Sequence, residues 1–210
     1  MVIEAKLCGF TEPETVRVAV DAGAKWIGFN FAPGSPRRVK LADIDRLLPA
    51  TGAATAVGLL VDADDALVES VLATGIGTIQ LHGNETPERI AELADRVPGE
   101  VWKAIGIESE ADLAEAHRYR SADRLLIDAR PPHGSDQKGG NGVPFDWNIL
   151  KDWHPPKPWF LAGGLVPETV AEAVALTGSS AVDVSSGIER ERGVKDANLI
   201  REFMRSVKGI

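Results

Sequence analysis

Short apolar runs and amphipathic segments alternate along the whole chain. The runs fall at 2–8, 25–31, 54–61, 77–81, 100–105, 124–128, 158–162 and 180–184. They are nearly continuous in apolar character, as strands covered on both faces should be. Between them, apolar residues recur at helical spacing. The first such segment predicts a helix with Thr11 as N-cap and Glu14 as its capping-box partner. Val16, Ala19 and Val20 would form its buried stripe, and Gly23 would stop it. Helices are likewise predicted over 41–49, 64–74, 87–96, 109–118, 167–177 and 196–207, with a less sharply patterned one at 146–152.

Eight strands alternating with eight helices predict a parallel sheet with crossover helices. A repeat of about 26 residues is near the compact limit of an eight-fold barrel. An open doubly wound sheet would alternate similarly. The count of eight favours closure, and no Gly-x-Gly-x-x-Gly follows the first strand. The expected architecture is α/β, a single-domain (β/α)8 TIM barrel over residues 1–210. The stretch 129–145, rich in proline and glycine, is the longest irregular piece and reads as a functional or mobile loop.

Composition narrows the chemistry. The chain has 210 residues and a net charge of −8. That balance disfavours nucleic acid and anionic membrane as partners, since both demand a basic face. An anionic small molecule stays possible through a local cradle. No apolar run approaches a membrane span, and the N-terminus lacks a basic-then-apolar leader, so a cytoplasmic location is expected. One cysteine and no Cys/His cluster argue against structural zinc and a disulfide scaffold.

In a barrel, active groups gather at the C-terminal ends of the strands. Cys8 ends the first run and is followed by Gly9. The plain alternative is a small buried hydrophobe. Lys6 lies two residues earlier and shares the inward face. Its ammonium is expected to lower the thiol pKa, making Cys8 a base near neutrality that alkylates faster than a free thiol. Asp128 ends Leu125-Leu126-Ile127, and no helix that it could cap follows at once. Partly desolvated, it is a candidate proton donor. Gly163-Gly164 and Ser185-Ser186-Gly187 follow the last two strands, where backbone N–H groups often cradle phosphate. Arg37, in Ser35-Pro36-Arg37-Arg38, is either a solvated turn or a carboxylate clamp. His82 ends the fourth run and is equally a structural or a catalytic histidine. No Ser/His/Asp order, Walker-type loop or metal-ligand spacing is present.

These residues fall into a familiar set of motifs. They are Lys6-Leu7-Cys8-Gly9-Phe10-Thr11, Gly28-Phe29-Asn30-Phe31 through Ser35-Pro36-Arg37, and Gln80-Leu81-His82-Gly83. They continue in Leu126-Ile127-Asp128, Gly139-Gly140-Asn141-Gly142 with Phe145-Asp146-Trp147, Gly163-Gly164-Leu165 with Pro167-Glu168, and Asp183-Val184-Ser185-Ser186-Gly187-Ile188-Glu189. In this order, and across essentially the whole chain, the sequence resembles the phosphoribosylanthranilate isomerase family. The resemblance implies a cofactor-independent Amadori rearrangement of a phosphorylated small-molecule substrate in tryptophan biosynthesis, without metal, by a monomer or homodimer. It implies Asp128 as general acid and Cys8 as general base. Arg37 would hold the anthranilate carboxylate, Asp183 would sit near the anthranilate nitrogen or orient the substrate, and His82 would line the pocket. Backbone groups at Gly163, Gly164, Ser185 and Ser186 would hold the phosphate.

Two departures stand out. Residues 129–138 are longer and more polar than the family's usual loop and carry Arg130, His133, Asp136 and Lys138, suiting a mobile lid. Leu60 stands where a phenylalanine is expected, which would alter packing around the anthranilate ring. Three other readings remain open. A histidine-biosynthesis isomerase would carry an aspartate in place of Cys8 and a two-fold internal repeat. A ribulose-phosphate epimerase would need metal-binding histidines on several strands. A non-catalytic phosphate-binding barrel would have no need of both Cys8 and Asp128.

Overall fold

The computed structural model describes residues 2–129 and 146–210. Eight parallel strands close into a barrel in chain order. They are β1 (Glu4–Cys8), β2 (Trp26–Asn30), β3 (Thr55–Leu60), β4 (Thr78–Leu81), β5 (Val101–Ile107), β6 (Arg124–Ala129), β7 (Trp159–Leu161) and β8 (Ala181–Val184). Each lies within or close to its expected run. Helices α1 (Pro13–Asp21), α3 (Asp65–Ala73), α4 (Pro87–Ala94), α5 (Glu110–Ala116), α6 (Val170–Thr177) and α7 (Ala197–Lys208) lie between or after the strands. Between β2 and β3 the predicted helix shrinks to α2 (Ile44–Leu47), flanked by 3₁₀ turns at Leu41–Asp43 and Leu48–Thr51. The less patterned segment at 146–152 forms one 3₁₀ turn, Trp147–Leu150. Among the described residues no helix is long and apolar enough to cross a membrane.

Local chemistry explains the differences at the ends. The first helix is not capped by Thr11. Its N-cap is Glu12, with no side-chain cap, because Pro13 supplies the preset first helical φ. Gly23 ends that segment as expected, at a φ of 95°. α6 begins at Val170, after a turn in which the Val166 carbonyl accepts from Thr169 and Val170. A hairpin absent from the expected pattern, β9 (Glu189–Glu191) with β10 (Val194–Lys195), follows β8.

Strand alternation sends every second residue inward. The outward set, including Leu7, Ile27, Leu60, Ile79, Leu125 and Val182, packs with the helices in one large core. The inward set forms a separate cluster of Trp26, Val57, Trp102, Ala104, Leu126, Phe160, Ala162 and Ala181. Trp26 meets Trp102 edge-on at 5.6 Å and Phe160 at 5.0 Å, and Trp102 lies 4.8 Å from Phe160. The Arg124 guanidinium sits over all three rings and is held by Glu100 through bonds of 2.8 and 3.1 Å. Aromatic bulk and this pair fill the N-terminal half of the barrel. Truncating Trp102 to Ala should therefore cost about 3–5 kcal/mol of unfolding free energy in urea titrations. A loss below about 1 kcal/mol would show that the interior collapses around the gap.

Candidate active site

The opposite end of the barrel is polar. Cys8, the last residue of β1, is buried and pairs in register with Gly28 of β2. A β-carbon on Gly28 would stand 2.5 Å from the Cys8 sulfur, so the glycine makes the room that the thiol occupies. Lys6, one inward position below, is fully buried and bonds Asp183 Oδ1 of β8 at 2.7 Å. Burial disfavours the Lys6 charge, but Asp183 and Cys8 more than offset this and hold its pKa above the ordinary value.

The expectation of a low-pKa thiol is not met. Burial pushes Cys8 up, and Asp183 adds to it. The opposing pulls of Lys6 and Lys195 leave the thiol above its usual range. Burial is the main cause, and Asp183, the nearest partner of Lys6, opposes part of the lysine's pull on the sulfur.

Arg37 is buried and already clamped. Its Nε and Nη2 donate to Glu189 at 2.7 and 2.9 Å. Nη1 has no hydrogen bond among the described residues. Gly9, at a φ of 84°, lies so close that a β-carbon would stand 2.6 Å from Arg37 Cδ. Glu189 also accepts from Gly193 N–H at 3.0 Å and from Lys195 Nζ at 2.7 Å. Lys195 donates to the Ser185 carbonyl at 2.8 Å and lies 3.3 Å from its hydroxyl, which donates to the Cys8 carbonyl at 3.1 Å. Burial works against the Glu189 charge, yet Arg37, Lys195 and Gly193 hold its pKa down to about 2. Burial lowers Lys195 to about 8 against the pull of Glu189.

Across the mouth, Asp128 is buried near the end of β6. Its Oδ1 accepts from Ala129 N–H at 2.8 Å, and His82 Nε2 lies 3.4 Å from Oδ2. Gln80, buried on β4, places its amide nitrogen 3.2 Å from His82 Nδ1. The turn after His82 is fixed from beneath. Lys103 bonds Glu85 at 2.8 Å and the Gly83 carbonyl at 2.7 Å, while Glu85 accepts from the N–H groups of Asp62 and Gly83. Gly163 adjoins this group, since a β-carbon there would stand 3.2 Å from Asp128 Oδ1.

The two glycine turns abut. Gly163 and Gly164 take φ values of 85° and 71°, and a β-carbon on Gly187 would overlap the Leu165 carbonyl. The N–H groups of Gly164 and Ser186 make no hydrogen bond among the described residues, which suits an anion between the turns. The fold thus gathers the predicted residues in two linked groups. One joins Cys8, Arg37, Asp183 and Ser185; the other joins His82, Asp128 and Gly163. The glycine turns run between them.

Comparison with known proteins gives the family of the chain and solved relatives of its fold. The family model described as "N-(5'phosphoribosyl)anthranilate (PRA) isomerase" matches residues 5–206. An N-(5'-phosphoribosyl)anthranilate isomerase of Hyphomonas neptunium is 50% identical over 205 residues, 98% of this chain and 97% of the relative. The crystal structure of phosphoribosyl anthranilate isomerase from Thermotoga maritima superposes with a TM-score of 0.89 at 31% identity, covering 99% of this chain and 100% of that one. A further structure of this isomerase, in complex with reduced 1-(o-carboxyphenylamino)-1-deoxyribulose 5-phosphate, gives 0.84 at 30% identity, covering 99% and 100%.

The chain belongs to the phosphoribosylanthranilate isomerase family.

Within that family its departures can be placed. Leu60 is buried in the outer core among the helices, while its neighbour Leu59 packs with Cys8. The Leu60 difference therefore does not border the mouth of the barrel. The expected lid residues Arg130, His133, Asp136 and Lys138, together with Gly139–Gly142 and Phe145, lie outside the described residues. Sequence reasoning gave no role to Gly28, Gln80, Glu189 or Lys195. Only Gly193, flanked by Glu189-Arg190-Glu191 and Val194-Lys195, signalled the hairpin that carries two of them.

Two measurements check the electrostatics. Iodoacetamide should modify Cys8 more slowly than a free thiol at pH 7, with the rate still rising at alkaline pH where that of a free thiol has levelled off, because only the thiolate reacts. Fast modification at pH 7 would show that Lys6 dominates after all. Glu189, with its folded pKa depressed, stabilises the fold fully above about pH 5 and loses that contribution as pH falls towards 2. The melting-temperature gap between wild type and Glu189→Gln should be widest above about pH 5 and close towards pH 2.

Proposed function

We propose that this chain is an N-(5'-phosphoribosyl)anthranilate isomerase. It converts that aminoaldose to 1-(2-carboxyphenylamino)-1-deoxyribulose 5-phosphate in tryptophan biosynthesis. One observation carries the reading: a buried thiol and a buried carboxyl end β1 and β6 of one barrel, with two abutting glycine turns beyond β7 and β8.

Asp128, protonated, gives its proton to the furanose ring oxygen as the C1–O bond breaks. The anthranilate nitrogen lone pair forms the C1=N bond of an iminium. The Cys8 thiolate then removes the proton from C2, and that electron pair forms the C1=C2 bond of an enolamine as the C1=N π pair returns to nitrogen. The enolamine becomes the ketone as the C2 hydroxyl gives up its proton to solvent, the C2=O bond forms, and the C1=C2 pair takes a proton from solvent at C1. A thiol held above its usual range is a strong base once ionised, which suits removal of a carbon-bound proton.

Arg37 Nη1 would meet the anthranilate carboxylate. Backbone N–H groups at Gly163, Gly164, Ser185 and Ser186 would hold the phosphate. Ser185 would contribute through its backbone, since its hydroxyl is committed to the Cys8 carbonyl. His82 would orient Asp128, and Asp183 would align the substrate above Lys6. A cytoplasmic monomer or homodimer acting without cofactor fits this scheme.

Mixing the protein with freshly generated N-(5'-phosphoribosyl)anthranilate should abolish the substrate's fluorescence rapidly. Cys8→Ala and Asp128→Ala should each lower kcat by about 10² to 10⁴ while circular dichroism stays unchanged. Arg37→Ala should chiefly raise KM. Full turnover by Asp128→Ala at saturating substrate would remove the acid assignment.

A further inference from the structure

Two buried charges, Glu189 and Lys195, take no part in the proton transfers just described. Both sit on the β9–β10 hairpin, and both side chains are almost completely buried. Burying ions is costly, and well-packed apolar residues often serve a fold as well or better. Compared with an apolar pair of the same volume, stability alone gives little reason to place a carboxylate and an ammonium here. Their partners suggest another reason.

Glu189 takes two of the Arg37 donors in a bidentate pair, at 2.7 and 2.9 Å. This locks the plane of the guanidinium, and among the described residues Nη1 has no hydrogen bond, which suits a ligand there. On the other side Glu189 meets Lys195 at 2.7 Å, and Lys195 holds the Ser185 carbonyl at 2.8 Å. The Ser185 hydroxyl bonds the Cys8 carbonyl at 3.1 Å. A continuous polar chain thus runs from Arg37 through Glu189, Lys195 and Ser185 to the backbone of Cys8. Gly193 fits into the same assembly, with its N–H on Glu189 and so near Pro36 that a β-carbon would stand 2.8 Å from the Pro36 carbonyl oxygen.

We propose that Glu189 and Lys195 are positioning residues that fix the separation between the carboxylate-binding Arg37 and the phosphate-binding Ser185 turn. The site then selects a ligand with an anionic group at each end and the right span between them. This rests on the roles given above to Arg37 and the Ser185-Ser186 turn. Glu189 acts through Arg37, and Lys195 acts through Ser185. A purely structural strap would affect melting without affecting which ligands bind.

The test uses Glu189→Gln, which keeps the shape, and Lys195→Met. Two probes are titrated by calorimetry: inorganic phosphate, and reduced 1-(o-carboxyphenylamino)-1-deoxyribulose 5-phosphate, which carries both anionic ends. Glu189→Gln should leave phosphate affinity within about twofold and weaken the two-ended ligand about tenfold or more, the scale of a lost charge-assisted hydrogen bond. Lys195→Met should weaken both probes by about tenfold. In turnover, KM should rise more than kcat falls. Wild-type affinity for the two-ended ligand in folded Glu189→Gln would overturn the proposal, whatever its melting temperature. If Lys195→Met does not fold, Glu189→Gln decides alone. Failure of the wild type to bind the two-ended ligand or to turn over N-(5'-phosphoribosyl)anthranilate would instead sink the functional reading beneath it.

Discussion

Closure of the barrel governs everything else in this molecule. Eight parallel strands leave no free edge, and their alternation drives every second side chain into one narrow interior. That interior has two mouths with different solutions. The N-terminal half is filled by Trp26, Trp102 and Phe160 above the Arg124–Glu100 pair. Above it the same inward rows carry Lys6, Gln80, Asp128 and Asp183, with Cys8 at the rim. Two of these buried groups meet partners from a different strand. Lys6 finds Asp183 across the β1–β8 seam, and Asp128 of β6 faces His82, which follows β4. The reactive groups are thus held by strand register and owe little to loop conformation.

Much of this could be read from the chain itself. Continuous apolar runs such as Leu125-Leu126-Ile127 mark strands buried on both faces, and a polar residue terminating one of them marks the rim. That logic finds Cys8, His82 and Asp128 without coordinates. It places the barrel as well, because eight such runs alternate with helical spacing.

It fails where the information is not periodic. Helix caps depend on single dihedral angles, so Pro13 displaced Thr11 from the start of α1. Segments between strands can satisfy their spacing with 3₁₀ turns, as at Trp147–Leu150, where a helix was expected. The thiol was misjudged because Lys6 was visible in the sequence, while the burial that chiefly raises the thiol was not, and Asp183, which adds to it, lies 177 residues from Lys6. Arg37 suffered the same distortion: Glu189, which occupies most of its fork, lies 152 residues further on. Electrostatics is set by pairs, and a sequence displays only one member of a distant pair at a time.

The fit of Gly28 against the Cys8 sulfur has a consequence for how this protein can vary. The two positions share one volume, across adjacent strands in fixed register. A methyl group gained at 28 must be matched by a smaller group at 8, and any bulk added at 8 draws on the space that glycine left open. The identity of the residue at position 8 is therefore written jointly by two codons. A library that randomises position 8 beside an intact Gly28 explores a wide range of side chains, while one that randomises position 28 alone explores almost none.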